Sequence, residues 1–292
     1  MHQHPVICFG EVLWDVLPAG AEPGGAPMNV TYHLHKHGLQ TALITSIGND
    51  EAGQKIKSLF ADRGICTDYF FTDAQQQTGI VYAHANANND MTYDIVKPVA
   101  WDFIPYTEQL AGLVSNASYF VYGSLAARSE VSRYSLLALL NAARTKVLDI
   151  NLRAPHYNEQ ALLPLLQQAD ILKMNEEELE LVGGWFAGNQ ERKDLVRSLS
   201  EALNIATIIV TLGAKGALLF MNDQFYEHSG YKVQVADTIG SGDSFLAGFL
   251  SQLIKGTSPE DALDYASRLG ALIATKKGGC PEYSIEEIKS VH

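Results

Sequence analysis

Asp237-Thr-Ile-Gly-Ser-Gly-Asp243 runs directly into the apolar stretch Ser-Phe-Leu-Ala-Gly-Phe-Leu-Ser-Gln-Leu-Ile at 244–254. Three small residues, Gly240, Ser241 and Gly242, therefore stand at the mouth of a long predicted helix. A turn of this kind points several backbone N–H groups into one concavity, at the positive end of a helix dipole of roughly half a charge. It is an anion site. Asp243 belongs to the same turn and can take a proton from a group that attacks the anion. An anion site and a base so close together predict group transfer to an alcohol, phosphoryl transfer above all.

Outward from this turn, strand-like and helix-like segments alternate, the pattern of an α/β fold with a mainly parallel sheet. Strands are predicted at Val6–Gly10, Thr41–Ile47, Tyr119–Tyr122, Lys146–Ile150, Ile171–Met174 and Thr207–Thr211. Helical patterns lie between them at Pro27–His37, Glu51–Arg63, Glu130–Ala143 and Gln190–Leu203, with Pro27 and Gly38 suited to the two ends of the first. Residues 69–100 break the alternation. Thr78–Ala85 and Met91–Val96 read as a hairpin about the polar turn at 86–90, and with 12–22 they predict a small β-lid. A second hairpin, Ala217–Met221 with Gln224–His228, is expected at a sheet edge.

Composition narrows the partners. The 292 residues carry 21 Lys+Arg against 33 Asp+Glu, a net charge of −12, which argues against nucleic acid and anionic membrane surfaces. An anionic substrate therefore needs amides, a metal ion or a few well-placed cations. No apolar run is long enough for a membrane span, and the start of the chain has no signal-peptide pattern. Three widely spaced cysteines, Cys8, Cys66 and Cys280, suit a reducing compartment, so a cytoplasmic location is expected.

Other motifs supply candidate ligands. Gly24-Gly25-Ala26-Pro27-Met28-Asn29 opens a helix; Gly25 permits close approach of a ligand, and the Asn29 amide points at it from the first turn. The loop Gly10-Glu11-Val-Leu-Trp-Asp15 adds a carboxylate able to hold vicinal hydroxyls. Arg153, in Asp149-Ile-Asn151-Leu-Arg153, follows a strand and can neutralise a phosphate oxygen or simply face solvent. Asn175 can cap the helix that follows it; alternatively Asn175 and Glu178, one turn apart, hold a hydrated Mg2+. Thr211, Gly213 and Gly216 leave room for a nucleotide along the backbone. Neither a P-loop nor a dinucleotide fingerprint is present. His33, His35 and His37 read as polar-face histidines, because no carboxylate stands at ligand spacing.

The glycine motif at 24–29 and the turn at 237–243 resemble the two signatures of the ribokinase-like (PfkB) carbohydrate kinases, in the family's order and over nearly the whole chain. Within that family, Gly10-Glu11…Asp15 and Asp149-Ile-Asn-Leu-Arg153 look most similar to fructokinases. The resemblance implies one three-layer α/β/α domain over 1–292, with a lid from about 12–22 and 69–100. It further implies ATP as donor, Mg2+, and a sugar acceptor, D-fructose first. Ribose, 2-keto-3-deoxygluconate or a nucleoside stay open as acceptors, as does a non-catalytic sugar or nucleotide sensor.

By the same resemblance Asp243 is the base, and the amides of Gly240, Ser241 and Gly242 form the anion hole. Asp15, Gly25 and Asn29 hold the sugar, and Arg153 lies near the transferred phosphate. Asn175 and Glu178 serve Mg2+, while Thr211, Gly213 and Gly216 serve the nucleotide. Many members bind K+, which here implies Asp237 and the Ile239 carbonyl, with 276–279 as a second half. Some members pair through their lids, so a homodimer through the lid stays open here. Ser241 replaces the family's more usual Ala, and Glu282 stands where some relatives have Ser.

Overall fold

The computed structural model describes residues 5–17, 20–85, 91–188 and 190–292, so the expected turn at 86–90 lies outside the described residues. In chain order the strands are β1 Val6–Phe9, β2 Leu13–Leu17, β3 Gly20–Gly24, β4 Thr41–Gly48, β5 Phe70–Asp73, β6 Gly79–Ala85 and β7 Met91–Ile95. They continue with β8 Tyr119–Gly123, β9 Lys146–Asp149, β10 Ile171–Asn175, β11 Thr207–Thr211, β12 Ala217–Met221 and β13 Gln224–His228. The helices are α1 Ala26–Lys36, α2 Glu51–Ala61, α3 Glu108–Asn116, α4 Glu130–Leu140 and α5 Glu159–Leu166. After these come α6 Glu176–Ala187, α7 Arg192–Leu203, α8 Ser241–Lys255, α9 Pro259–Ala274 and α10 Ile285–Lys289.

Nine strands form one sheet in the order β13-β12-β11-β10-β9-β8-β1-β4-β5. All neighbours are parallel except β12, which runs antiparallel to β11 and β13. The reason is visible in β1: Val6, Ile7, Cys8 and Phe9 are all fully buried, as strands covered on both faces must be. Ile7 and Phe9 pack with residues of α3–α7, whereas Val6 and Cys8 pack with residues of α1, α2 and α8–α10. Two helical layers thus enclose the sheet. Because β1 lies between β8 and β4, the chain leaves it in both directions, which opens a crevice at the C-terminal strand ends where ligands bind in such sheets.

A smaller sheet, β3-β2-β6-β7, stands apart from the main one. β6 and β7 form the expected antiparallel hairpin, and β6 joins β2 in parallel. Two parts of 69–100 depart from the expected flap. Phe70–Asp73 pairs in parallel with β4 and extends the main sheet, since a four-residue Phe-Phe-Thr-Asp segment can complete either sheet and β4 offers it a full ladder. Residues Ala100–Phe103 turn inward and bury Trp101 and Asp102 completely, with Arg128 stacked 3.8 Å from the Trp101 ring. Trp101 is therefore a core residue.

Candidate active site

Helix α8 begins with Gly240 as its N-cap, at φ 74°, a left-handed conformation that favours glycine. A side chain there is also excluded by space, because a Cβ on Gly240 would lie 2.6 Å from the Cα of Gly279. The turn is thereby pressed against the 276–280 loop. The amide of Ser241 donates to the Thr238 carbonyl at 3.2 Å, and its hydroxyl donates to the Gly270 carbonyl at 3.0 Å. The second bond explains how serine fits here. The first engages one of the expected trio of amides: within 239–243, the amides with no protein acceptor among the described residues are those of Gly240, Gly242 and Asp243.

The Asp243 carboxylate accepts a hydrogen bond from Asn29 Nδ2 at 2.7 Å. Asn29 comes from the first turn of α1, and its Oδ1 accepts from the Cys280 thiol at 3.2 Å, which fixes the orientation of the amide. Burial pushes the Asp243 carboxyl up to about 6; Asp149 adds to the rise, while Lys173, Asn29 and Arg153 oppose it. A carboxylate tuned in this way is ionised at neutral pH yet basic enough to receive a proton.

Gly25 caps α1 at φ 119°, and a Cβ there would meet the Glu11 carbonyl oxygen at 2.4 Å, so only glycine allows this approach of the two loops. The backbone N–H of Ala26 donates to Glu11 Oε1 at 3.2 Å. Glu11 Oε2 is buried with no hydrogen-bond partner among the described residues. Burial raises this carboxyl to about 7. Asp15, on β2, lies against Gly24, where a Cβ would come within 2.4 Å of Asp15 Oδ2. Burial lifts Asp15 to about 6, with Arg153 pulling down and Asp237 pushing up. Arg153 itself is exposed and has no ion-pair partner among the described residues, though its charge acts on Glu11, Asp15 and Asp243. Arg153 thus links the two carboxylates Asp15 and Asp243 electrostatically, and Asn29 is bonded to the second.

On the other side of the turn lies a cavity of ≈ 570 Å3 bordered by Asn175, Thr211, Gly213, Gly216, Ser241 and Gly242. Val233, Val235, Phe245, Ala271 and Ala274 add an apolar lining. Gly216 is obligatory, since a Cβ there would lie 1.8 Å from the His228 carbonyl oxygen. A phosphate end beside free amides and an apolar lining suited to a base are the two requirements of a nucleotide site.

Asn175 and Glu178 form a capping box at the start of α6: Asn175 Oδ1 accepts from the Glu178 amide and Glu178 Oε2 from the Asn175 amide, both at 2.8 Å. Glu178 Oε1 also accepts from the Leu152 amide at 2.7 Å, which ties α6 to the loop that carries Arg153. The capping reading is realised in full, and each carboxylate oxygen keeps one lone pair for water. Asp237 Oδ1 and Oδ2 accept from the amides of Ile239 and Gly278 at 3.0 and 3.1 Å, so this side chain joins the anion turn to the 276–279 loop. Glu282 faces outward and pairs with Lys36 and Arg63.

Two features escaped the sequence reading. His33 is not a polar-face residue: it is fully buried, with its ring nitrogens 3.0 Å from the Tyr283 hydroxyl and 2.9 Å from the Gly279 carbonyl, and burial lowers it to about 3. It anchors the glycine loop that presses on the anion turn. Lys173 and Asp149 form a buried ion pair beside Gly242, and only the register of two adjacent strands reveals it.

The model of the pfkB family carbohydrate kinases matches residues 9–285. The chain belongs to that family. Fructokinase-1 of Oryza sativa subsp. japonica is 29% identical over 310 residues, covering 96% of this chain and 95% of the rice protein. Among solved structures, a fructokinase from Xylella fastidiosa with bound ATP superposes with a TM-score of 0.86 at 21% identity, covering 99% of this chain and 98% of that one. A fructokinase from Vibrio cholerae in a fructose-, ADP- and calcium-bound form gives 0.83 at 24% identity over 99% of both chains. The three-layer ribokinase-like fold with its smaller sheet is common to these proteins and to this carbohydrate kinase.

Proposed function

We propose that this kinase transfers the γ-phosphoryl group of ATP to the C6 primary hydroxyl of D-fructose, giving fructose 6-phosphate and ADP. The observation that carries the proposal is the Asn29-bonded Asp243 carboxylate at the positive end of α8, beside a cavity of ≈ 570 Å3 and near Arg153 and Glu11, whose Oε2 has no partner among the described residues. The curated relatives named for fructose support the choice of acceptor.

ATP occupies the cavity beside Thr211, Gly213 and Gly216, with its terminal phosphate at the amides of Gly240, Gly242 and Asp243. Asp15 and Asn29 hold the sugar at Gly25 and turn its hydroxyl toward that phosphate. Arg153 takes up charge on the phosphoryl oxygens, and Asp243 receives the hydroxyl proton. Since phosphoryl transfer passes through a loose transition state, orientation and charge supply most of the acceleration. A hydrated Mg2+ fits the donor set of Asn175 and Glu178, reached through water because each Glu178 oxygen already takes one amide. When bound, it neutralises the phosphate oxygens that face away from the anion turn. K+ belongs to the same reading, at the Ile239 carbonyl between the loops that Asp237 joins.

The test is a coupled ADP-release screen with fructose, ribose, 2-keto-3-deoxygluconate, adenosine and fructose 6-phosphate, each with and without K+. Fructose is expected to give the highest kcat/KM, by about tenfold or more. A higher value with any other acceptor overturns the fructose assignment, and sugar binding without ADP release overturns the kinase reading.

A further inference from the structure

The buried pair Lys173–Asp149 has a feature that a purely structural ion pair does not need. Lys173, on β10, is 6% exposed, and Asp149, at the end of β9, is 4% exposed. Parallel pairing sets Lys173, in the middle of β10, beside Asp149 at the C-terminal end of β9. Lys173 Nζ donates to both oxygens of Asp149, at 2.8 and 2.7 Å. An ammonium has three N–H groups. The third has no protein acceptor among the described residues, and the nitrogen lies only 3.3 Å from where a Cβ of Gly242 would be. The ammonium therefore stands directly behind the anion turn, with one donor unspent.

Stability alone does not explain this arrangement. Removing two charges from water costs several kcal/mol per ion, and apolar replacement of a buried pair is often neutral or stabilising. The charges that bear on the turn come from every element packed around it. They are Asp149 from β9, Lys173 from β10, Glu178 from α6, Arg153 from the loop after β9, Glu11 from the loop after β1, Asp237 and Asp243 of the turn and α8, and the buried Cys280 thiol from the loop after α9. Lys173 is the only buried cation of this set, and the residues next to it are acidic.

We propose that Lys173 is a positioning residue of the transfer site, held by Asp149 so that one buried positive charge backs the anion turn and the Asp243 carboxylate. The proposal rests on the kinase reading above. Lys173 favours the ionised form of Asp243, and Asp149 disfavors it, so the two work on the base from opposite sides. Asp243 must be ionised to accept a proton. Loss of the Lys173 charge therefore moves the acid limb of kcat upward, and loss of the Asp149 charge moves it downward.

The experiment measures kcat and KM for fructose against pH in the wild type, Lys173→Met and Asp149→Asn, with thermal unfolding of each. The wild type comes first: without ADP release the kinase reading fails, whatever Lys173 does. Given wild-type turnover, Lys173→Met is expected to lose at least about tenfold in kcat, with KM for fructose within about threefold. Its acid limb moves up by about one pH unit, while that of Asp149→Asn moves down. If Lys173→Met does not fold, Asp149→Asn keeps the ammonium with an isosteric carboxamide partner, and its downward shift decides the matter alone. Limbs that stay in place, or that move in one direction for both variants, overturn the proposal.

Discussion

The two halves of the site differ in how their polar groups are satisfied. On the donor side nearly every side chain is already engaged: Asp237 clasps two amides, Asn175 and Glu178 close a capping box, Ser241 bonds the Gly270 carbonyl, and Lys173 grips Asp149. What remains free there, among the described residues, is backbone N–H and the third N–H of Lys173. On the acceptor side the unspent groups are side chains: among the described residues Glu11 Oε2 has no hydrogen bond, Asp15 rests against a glycine, and Arg153, at the border with the phosphate, has no ion-pair partner. The difference teaches how such a kinase separates two tasks. A phosphate common to every turnover is met by fixed amides, whereas the sugar is recognised by groups that only it satisfies. Buried polar groups left unpaired are costly, so a sugar that pairs them all gains over one that does not.

Substitutions probe that contrast, and the largest effect belongs where the halves meet. Asp243→Asn keeps the Asn29 contact geometry but removes the proton acceptor, and kcat is expected to fall about 10²–10⁴-fold while fructose KM changes little. Steady-state kinetics showing an unchanged kcat would remove Asp243 as base. Arg153→Ala takes away the free cation of the acceptor side. A loss of roughly a hundredfold in kcat/KM is expected, and a loss confined to ATP binding would move Arg153 to the donor half.

Asp15→Ala removes charge-assisted hydrogen bonds worth about 1.5–3 kcal/mol, so KM for fructose should rise at least about tenfold with a nearly constant kcat. An unaltered KM would show that the first loop does not hold the sugar. The acid limb comes next. Burial raises both Asp243 and Asp15 to about 6, and both must be ionised to work, so wild-type activity should decline as pH falls through about 6. A profile flat down to pH 5 contradicts this.

The smallest effect concerns stability. Glu11 is raised to about 7 by burial, above its unfolded value of 4.5, so its favourable contribution is complete below about pH 4.5 and is lost as pH rises through 7. Glu11→Gln keeps the Oε1 acceptor for Ala26 and removes the charge. Its unfolding midpoint should exceed that of the wild type by a few degrees at pH 8 and not at pH 5. A lower midpoint at pH 8 would mean that the carboxylate has a partner in solution.

Much of this was legible in the chain because it is local. The turn at 237–243, the glycines before α1, and strands such as Ile171–Asn175 announce themselves by short-range chemistry: small residues before a helix, apolar runs between turns. The contacts that complete the site are not local. Asn29 meets Asp243 across 214 positions, and Lys173 meets Asp149 only because β9 and β10 pair in one register. His33 looks like any histidine of an amphipathic helix, and its burial depends on the 279–283 segment folding back over α1. Phe70–Asp73 joins the main sheet rather than the flap for a related reason, since four residues carry no mark of which sheet they join. Local pattern specifies elements; register and return segments specify neighbours.

The contrast between the halves can be tested on the wild-type protein by amide hydrogen exchange, with fructose alone and with a non-hydrolysable ATP analogue alone. Fructose should slow exchange across 11–29 and leave 211–217 unchanged, and the analogue should slow 211–217 and the turn at 240–243. Protection of 211–217 by fructose, with 11–29 unaffected, would contradict the division of labour between fixed amides and waiting side chains.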